Sequence, residues 1–78
     1  MEENLEQTVK RVMSDILNIS FDSIDDSTST DNTESWDSAN HIQLVLSLEE
    51  EFSISFDVSE FEAMLSYPDI LHVVQSKL

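Results

Sequence analysis

Asp37 and Ser38 are the residues of this chain best placed to do chemistry. Both are common helix N-cap types, and they stand directly before Ile42, Val45, Leu46, Leu48 and Phe52, whose spacings of three and four residues trace one helical face. A serine at a helix N-terminus lies among backbone N–H groups that lack partners within the helix, and at the positive end of its dipole. A phosphate ester on the Ser38 hydroxyl would be stabilised where it stands. The stretch therefore reads as a docking point for a phosphorylated group.

Other chemistries fit these residues less well. Asp37, Ser38 and His41 contain the residue types of a hydrolase triad, but all three fall within one helical turn, where side chains splay apart and cannot align as orienter, nucleophile and base. No catalytic residues are assigned, and the chain is not expected to be an enzyme. His41 and His72 read as surface or boundary residues, because neither has metal-ligating companions at suitable spacing, and no metal site is expected. The polar run from Asp25 to Glu34 resembles a calcium loop only superficially. The chain has no glycine for the sharp turn of such a loop, nor for a loop that cradles nucleotide phosphates. It has no cysteine either, so any reactive thiol must come from a prosthetic group.

The elements that position Ser38 follow from apolar spacing. Leu5, Val9, Val12, Met13, Ile16 and Leu17 recur at helical intervals and predict a first helix over about residues 3 to 18. Glu2, Glu3 and Glu6 occupy its first turns, and Glu6 with Lys10 is a favourable pair one turn apart. From Ile19 to Ser35 the periodicity stops and Ser, Thr, Asp and Asn dominate, which predicts a long loop whose first half is pinned by Phe21 and Ile24. The second helix is predicted over about 38 to 53. Its apolar arc is wider than one core needs: Ile42 and Leu46 either pack against the loop or a neighbour, or form an exposed apolar patch beside Ser38.

After Phe52, Ile54 and Phe56 read as anchors in a linker. Asp57 and Glu60 form a capping-box-like pair opening a short helix that buries Val58, Phe61, Met64 and Leu65. Ser66, Pro68 and Asp69 mark the start of a last helix over about 67 to 77, burying Ile70, Leu71, Val74 and Leu78. The expected fold is all-α, a small four-helix bundle of three longer helices and a short third one, with a long loop between helices one and two. The 78 residues are read as a single domain.

Charge narrows the partners. Seventeen acids against three basic residues leave a formal charge of −14, which disfavours nucleic acid and anionic membrane and favours partners with basic patches. The N-terminus has no basic and apolar signal segment and no apolar run approaches a membrane span, so membrane insertion is not expected and the chain reads as a cytoplasmic monomer.

Asp37-Ser38, followed by Ile42, Leu44, Val45, Leu48 and Glu49-Glu50-Glu51-Phe52, resembles the Asp-Ser-Leu motif and second helix of acyl carrier proteins. The likeness covers essentially the whole chain, since length, acidity and helix spacing also fit. It implies that Ser38, with Asp37 as its motif partner, carries 4′-phosphopantetheine donated by coenzyme A through a phosphopantetheinyl transferase. The thiol of that arm would hold acyl or aminoacyl groups as thioesters for fatty acid or polyketide biosynthesis. Asp37, Glu49 and Glu50 match acids that such carriers turn toward basic enzyme patches, among them those of loading ligases and synthases. Ile42 and Leu46, four and eight positions beyond the serine, match partner-facing positions. Ala39 stands where the family prefers leucine, Ser35-Trp36 replaces a small glycine-containing pair, and Asn40 and Gln43 replace frequent acids, which marks a specialised or stand-alone carrier. The reading from another class is an unmodified acidic interaction module that covers basic surfaces with its negative face.

Overall fold

The structure, a computed structural model, describes residues 5–78. Among the described residues four helices follow in order, α1 (Leu5–Leu17), α2 (Ser38–Phe52), α3 (Val58–Ala63) and α4 (Tyr67–Lys77), with a 3-10 turn at Phe21–Ser23. The all-α bundle with a short third helix and a long α1–α2 loop is the architecture that the apolar spacing predicts. The expected beginning of the first helix at residue 3, with Glu2 and Glu3, lies outside the described residues. Among the described residues no helix is long and apolar enough to cross a membrane.

The α1 stripe buries Val9, Val12, Met13 and Leu17, along with Thr8, while Leu5 and Ile16 are half-buried at its margins. These meet Leu44, Val45 and Leu48 of α2 and Ile70, Val73 and Val74 of α4 in one core. Without glycine, both long-helix ends that require a left-handed residue use another type: Asn18 has φ 56° and Ser53 has φ 57°. Each turn is closed by the bond that follows from that conformation, Ile19 N–H to the Ser14 carbonyl at 3.3 Å and Ile54 N–H to the Glu49 carbonyl at 3.1 Å. The Ser14 hydroxyl adds a bond back to the Ile19 carbonyl at 2.7 Å.

The α1–α2 loop is ordered by its own polar side chains. Asp25 accepts from the Ser27 N–H and hydroxyl, and the buried Thr28 hydroxyl accepts from the Asp25 N–H at 2.9 Å. Asn32 ties Ser27 to Ser29 through both ends of its amide. The Ser27 hydroxyl and N–H hold the Asp25 carboxyl below its usual range. The loop then runs antiparallel to the α3–α4 linker, where Thr30 N–H donates to the Leu65 carbonyl and Tyr67 N–H to the Thr28 carbonyl, an isolated bridge between Ser29 and Ser66.

Several expected core residues are not buried. Ile24 pins the loop as predicted, but Phe21 is 39% exposed, its ring lying over the Lys10 ammonium at 5.8 Å outside the core. The same ammonium lies 5.5 Å from the Tyr67 ring, whose phenol is pushed up by burial and then by the charges of Glu6 and Asp26. Trp36, 4% exposed, is the anchor at the loop's far end. Of the residues expected to be buried by α3, only Met64, its C-cap, is fully buried: Phe61 is partly so, Val58 projects from the first turn at 73% exposure, and Leu65 is 46% exposed. Leu65 lies in the turn after α3, where its N–H bonds back to the Ala63 carbonyl at 3.0 Å, and its side chain stands outside the core. Leu78 follows the last turn of α4 and reaches solvent. The capping box of α3 forms as expected, with Glu60 N–H on Asp57 at 2.8 Å and Asp57 N–H on Glu60 at 3.0 Å. Glu60 also pairs with Lys77 at 2.7 Å, joining α3 to the end of α4.

Candidate functional site

The start of α2 has a division of labour between two adjacent residues. Asp37 is the N-cap: its backbone is extended, and its carboxylate accepts from the Asn40 N–H at 2.9 Å. Ser38 is therefore the first helical residue, exposed, and among the described residues no hydrogen bond engages its hydroxyl. Helix geometry leaves the N–H groups of Ser38 and Ala39 without carbonyl partners, and no acid occupies the first turn of α2. An outward hydroxyl, open N–H groups and the positive end of a four-turn helix suit a phosphoester. The exposure of Ser38 leaves room for a long substituent.

The approach to the site is tied down from behind. The Asn40 side chain donates to the Ser35 carbonyl at 2.7 Å, and Trp36 N–H donates to the Thr33 carbonyl at 2.9 Å. Trp36 buries its indole and donates from Nε1 to His41 Nδ1 at 3.0 Å, while His41 Nε2 lies 2.9 Å from the Phe61 carbonyl. His41 is thus a buried residue, 8% exposed, and corrects the expectation that it lies at the surface or boundary. The pairing of Trp36 with His41, five residues on, is visible in the sequence, but their burial depends on α3 packing across them. His72 is exposed as expected.

Ile42 and Leu46 are 50% and 54% exposed, so of the two readings of the α2 arc, the patch is the one the fold adopts. At about 100° per residue, Ser38, Ile42, Leu46 and Glu49 fall within an arc of about 80°. They form an edge running from the serine along α2. Ile42, Leu46, Phe56, Val58 and Phe61 line an open cleft of about 400 Å³ between α2 and α3, with Glu49, Asp57 and Glu62 at its rim. Glu49 differs from the simple picture of a solvent-facing acid: it is half-buried and accepts the Phe56 N–H at 2.8 Å, holding the linker after α2. Glu50 is exposed, and Glu51 pairs with Arg11 at 2.8 Å.

Compared with known families, residues 7–75 match the phosphopantetheine attachment site, PP-binding. A search of curated proteins finds no match. The matched unit is the place where 4′-phosphopantetheine is attached, and carrier domains of this kind are served by phosphopantetheinyl transferases and biosynthetic enzymes rather than being catalysts themselves. With nearly the whole chain matched and its fold a small helical bundle, this protein belongs to the phosphopantetheine-binding carrier family.

Proposed function

We propose that Ser38 is the attachment residue and that this chain, as one carrier unit, presents acyl or aminoacyl thioesters to biosynthetic enzymes of the fatty acid or polyketide type. The observation that carries this reading is the capping of α2 by Asp37, which leaves an exposed serine hydroxyl at the helix's positive end with no structural task. In the modification the Ser38 oxygen forms a new bond to phosphorus. The pyrophosphate bond of coenzyme A breaks, the adenine nucleotide leaves with the electron pair, and the hydroxyl proton passes to a base of the transferase or to solvent. The prosthetic group supplies the thiol that a chain without cysteine lacks.

The chain's own part is presentation. Open N–H groups at Ser38 and Ala39 favour the phosphodiester charge, and the Ile42 and Leu46 edge offers apolar contact beside it. Asp37 and Glu50 supply negative charge that speeds encounter with basic surfaces of the transferase or of a loading ligase or synthase. Glu49 contributes to that field while bonded to Phe56 N–H, so charge changes there also loosen the linker. A monomer in the cytoplasm, where coenzyme A and soluble synthases are at hand, is the setting that fits this role.

Mass spectrometry after incubation with coenzyme A and a broad-specificity phosphopantetheinyl transferase tests the reading. One added phosphopantetheine on the wild type and none on Ser38→Ala is the expected result. An unchanged wild-type mass favours the acidic interaction module, and a modified Ser38→Ala chain overturns the assignment of the serine.

A further inference from the structure

The Trp36–His41–Phe61 contact admits only one form of the imidazole. An indole N–H can only donate, so His41 Nδ1, 3.0 Å from Trp36 Nε1, must accept and carries no proton. The Phe61 carbonyl can only accept, so Nε2, 2.9 Å away, must donate. Both ring nitrogens are thereby used in the neutral Nε2–H tautomer. The ring also meets Phe61 edge-on, with centroids 4.6 Å apart at 65°.

Each bond meets a need that the local chain cannot. Phe61 lies in the last turn of a six-residue helix, where carbonyls run out of N–H partners; Leu65 N–H, four residues on, turns instead to the Ala63 carbonyl. His41 supplies the missing donor and so caps the end of α3 from the side of α2. Trp36 is buried, and its indole N–H would be left without a partner in the core if Nδ1 were withdrawn. The contact thus spans α3, the first turn of α2, and the residue two places before Ser38.

Resting on the reading of Ser38 as attachment residue, we propose that His41 and Trp36 form a clamp that positions the Ser38 turn for its modifying enzyme. The clamp depends on the indole donor and the imidazole acceptor being present together. The charged neighbours do not replace that bond. Glu34 and Asp37 flank Trp36, and Glu60 and Glu62 flank Phe61. Asp37 is engaged by Asn40 N–H, Glu60 by Lys77 and Asp57 N–H, and among the described residues no ion pair reaches the imidazole. His41 is a positioning residue here, acting on Ser38 through Trp36.

The test follows phosphopantetheine transfer from coenzyme A to the wild type, Trp36→Phe, His41→Leu and the double variant, at limiting carrier concentration. Each single change removes one partner of the same bond and should slow transfer about three- to tenfold at about pH 8, with no further loss in the double variant. His41→Gln, whose side-chain carbonyl can still accept from the indole, should recover part of the His41→Leu loss. Additive losses, or no recovery, overturn the clamp. Should the variants unfold, hydrogen exchange at the single indole N–H of the wild type decides by itself. The indole should be as protected as the α1 core amides. An indole that exchanges well ahead of them refutes the proposal. A Ser38→Ala chain that still gains mass overturns only the attachment reading, because indole exchange does not depend on Ser38.

Discussion

Ser38 and Ser66 both stand at the start of a helix, yet the fold gives them different work. Ser66 is the N-cap of α4: its hydroxyl accepts the Asp69 N–H at 3.2 Å, and Pro68 follows within the first turn. Ser38 is one position further in, because Asp37 has taken the cap of α2 and left the serine hydroxyl unengaged in solvent. A third serine, Ser35, has the opposite fate to both, its hydroxyl buried with no partner. One position of register separates a serine that holds structure from one available for chemistry.

The strongest way to break this contrast is to remove each hydroxyl in turn and measure modification and stability together. Ser38→Ala should lose all gain of phosphopantetheine mass while changing unfolding free energy by less than about 0.5 kcal/mol, as expected for an exposed residue with no bond to lose. A large loss of stability would mean that Ser38 shares the cap. Next in size is the apolar edge beside it. Ile42→Ala and Leu46→Ala should weaken transferase binding by about 1 to 3 kcal/mol each, chiefly through faster dissociation in surface plasmon resonance. Circular dichroism should find both variants folded, since half of each side chain already faces water.

Ser66→Ala reverses the first outcome. Loss of the α4 cap should cost about 1 kcal/mol, a melting decrease of about 4 to 8 °C for a domain of this size, with the transfer rate unchanged. A slowed transfer would show that the start of α4 communicates with Ser38. Ser35→Ala should instead raise stability by about 0.5 to 1 kcal/mol in urea unfolding, because it removes a buried hydroxyl that makes no bond. If the variant is less stable, the hydroxyl has a partner such as water.

The smallest effect distinguishes α3, whose cap is ionic, from α4, whose cap is not. The Lys77 ammonium, and after it the Asp57 N–H, hold the Glu60 carboxyl below its usual range. The folded chain therefore favours the carboxylate. Its contribution is complete above the ordinary carboxylate range and disappears as pH falls through the lowered value. Melting between about pH 5 and about pH 3 should fall slightly more steeply for the wild type than for Glu60→Gln, the difference being small because solvent screens the pair. Parallel curves would remove Glu60 from the acid response.

Local information in the sequence determined a good deal. Apolar spacing marked the four helices, Asp57 with Glu60 and Ser66 with Pro68 marked two of their starts, and both kinds of signal act within a turn or two of chain. Ser38 was legible for the same reason, as a hydroxyl at the head of a strongly patterned helix. Tertiary structure decided what depended on distant partners. Whether Ile42 and Leu46 face the core or water depended on where the loop and α3 pack, and spacing left both outcomes open. His41 read as a surface or boundary residue because its two bonds come from Trp36 and from a carbonyl twenty positions away. Phe21, Val58, Leu65 and Leu78 carry apolar side chains but lie at a 3-10 turn, a helix start, the tight turn after α3 and beyond the last turn of α4, outside the packed interior. Side-chain type sets how favourable burial is; only the packed bundle determines which positions have something to be buried against.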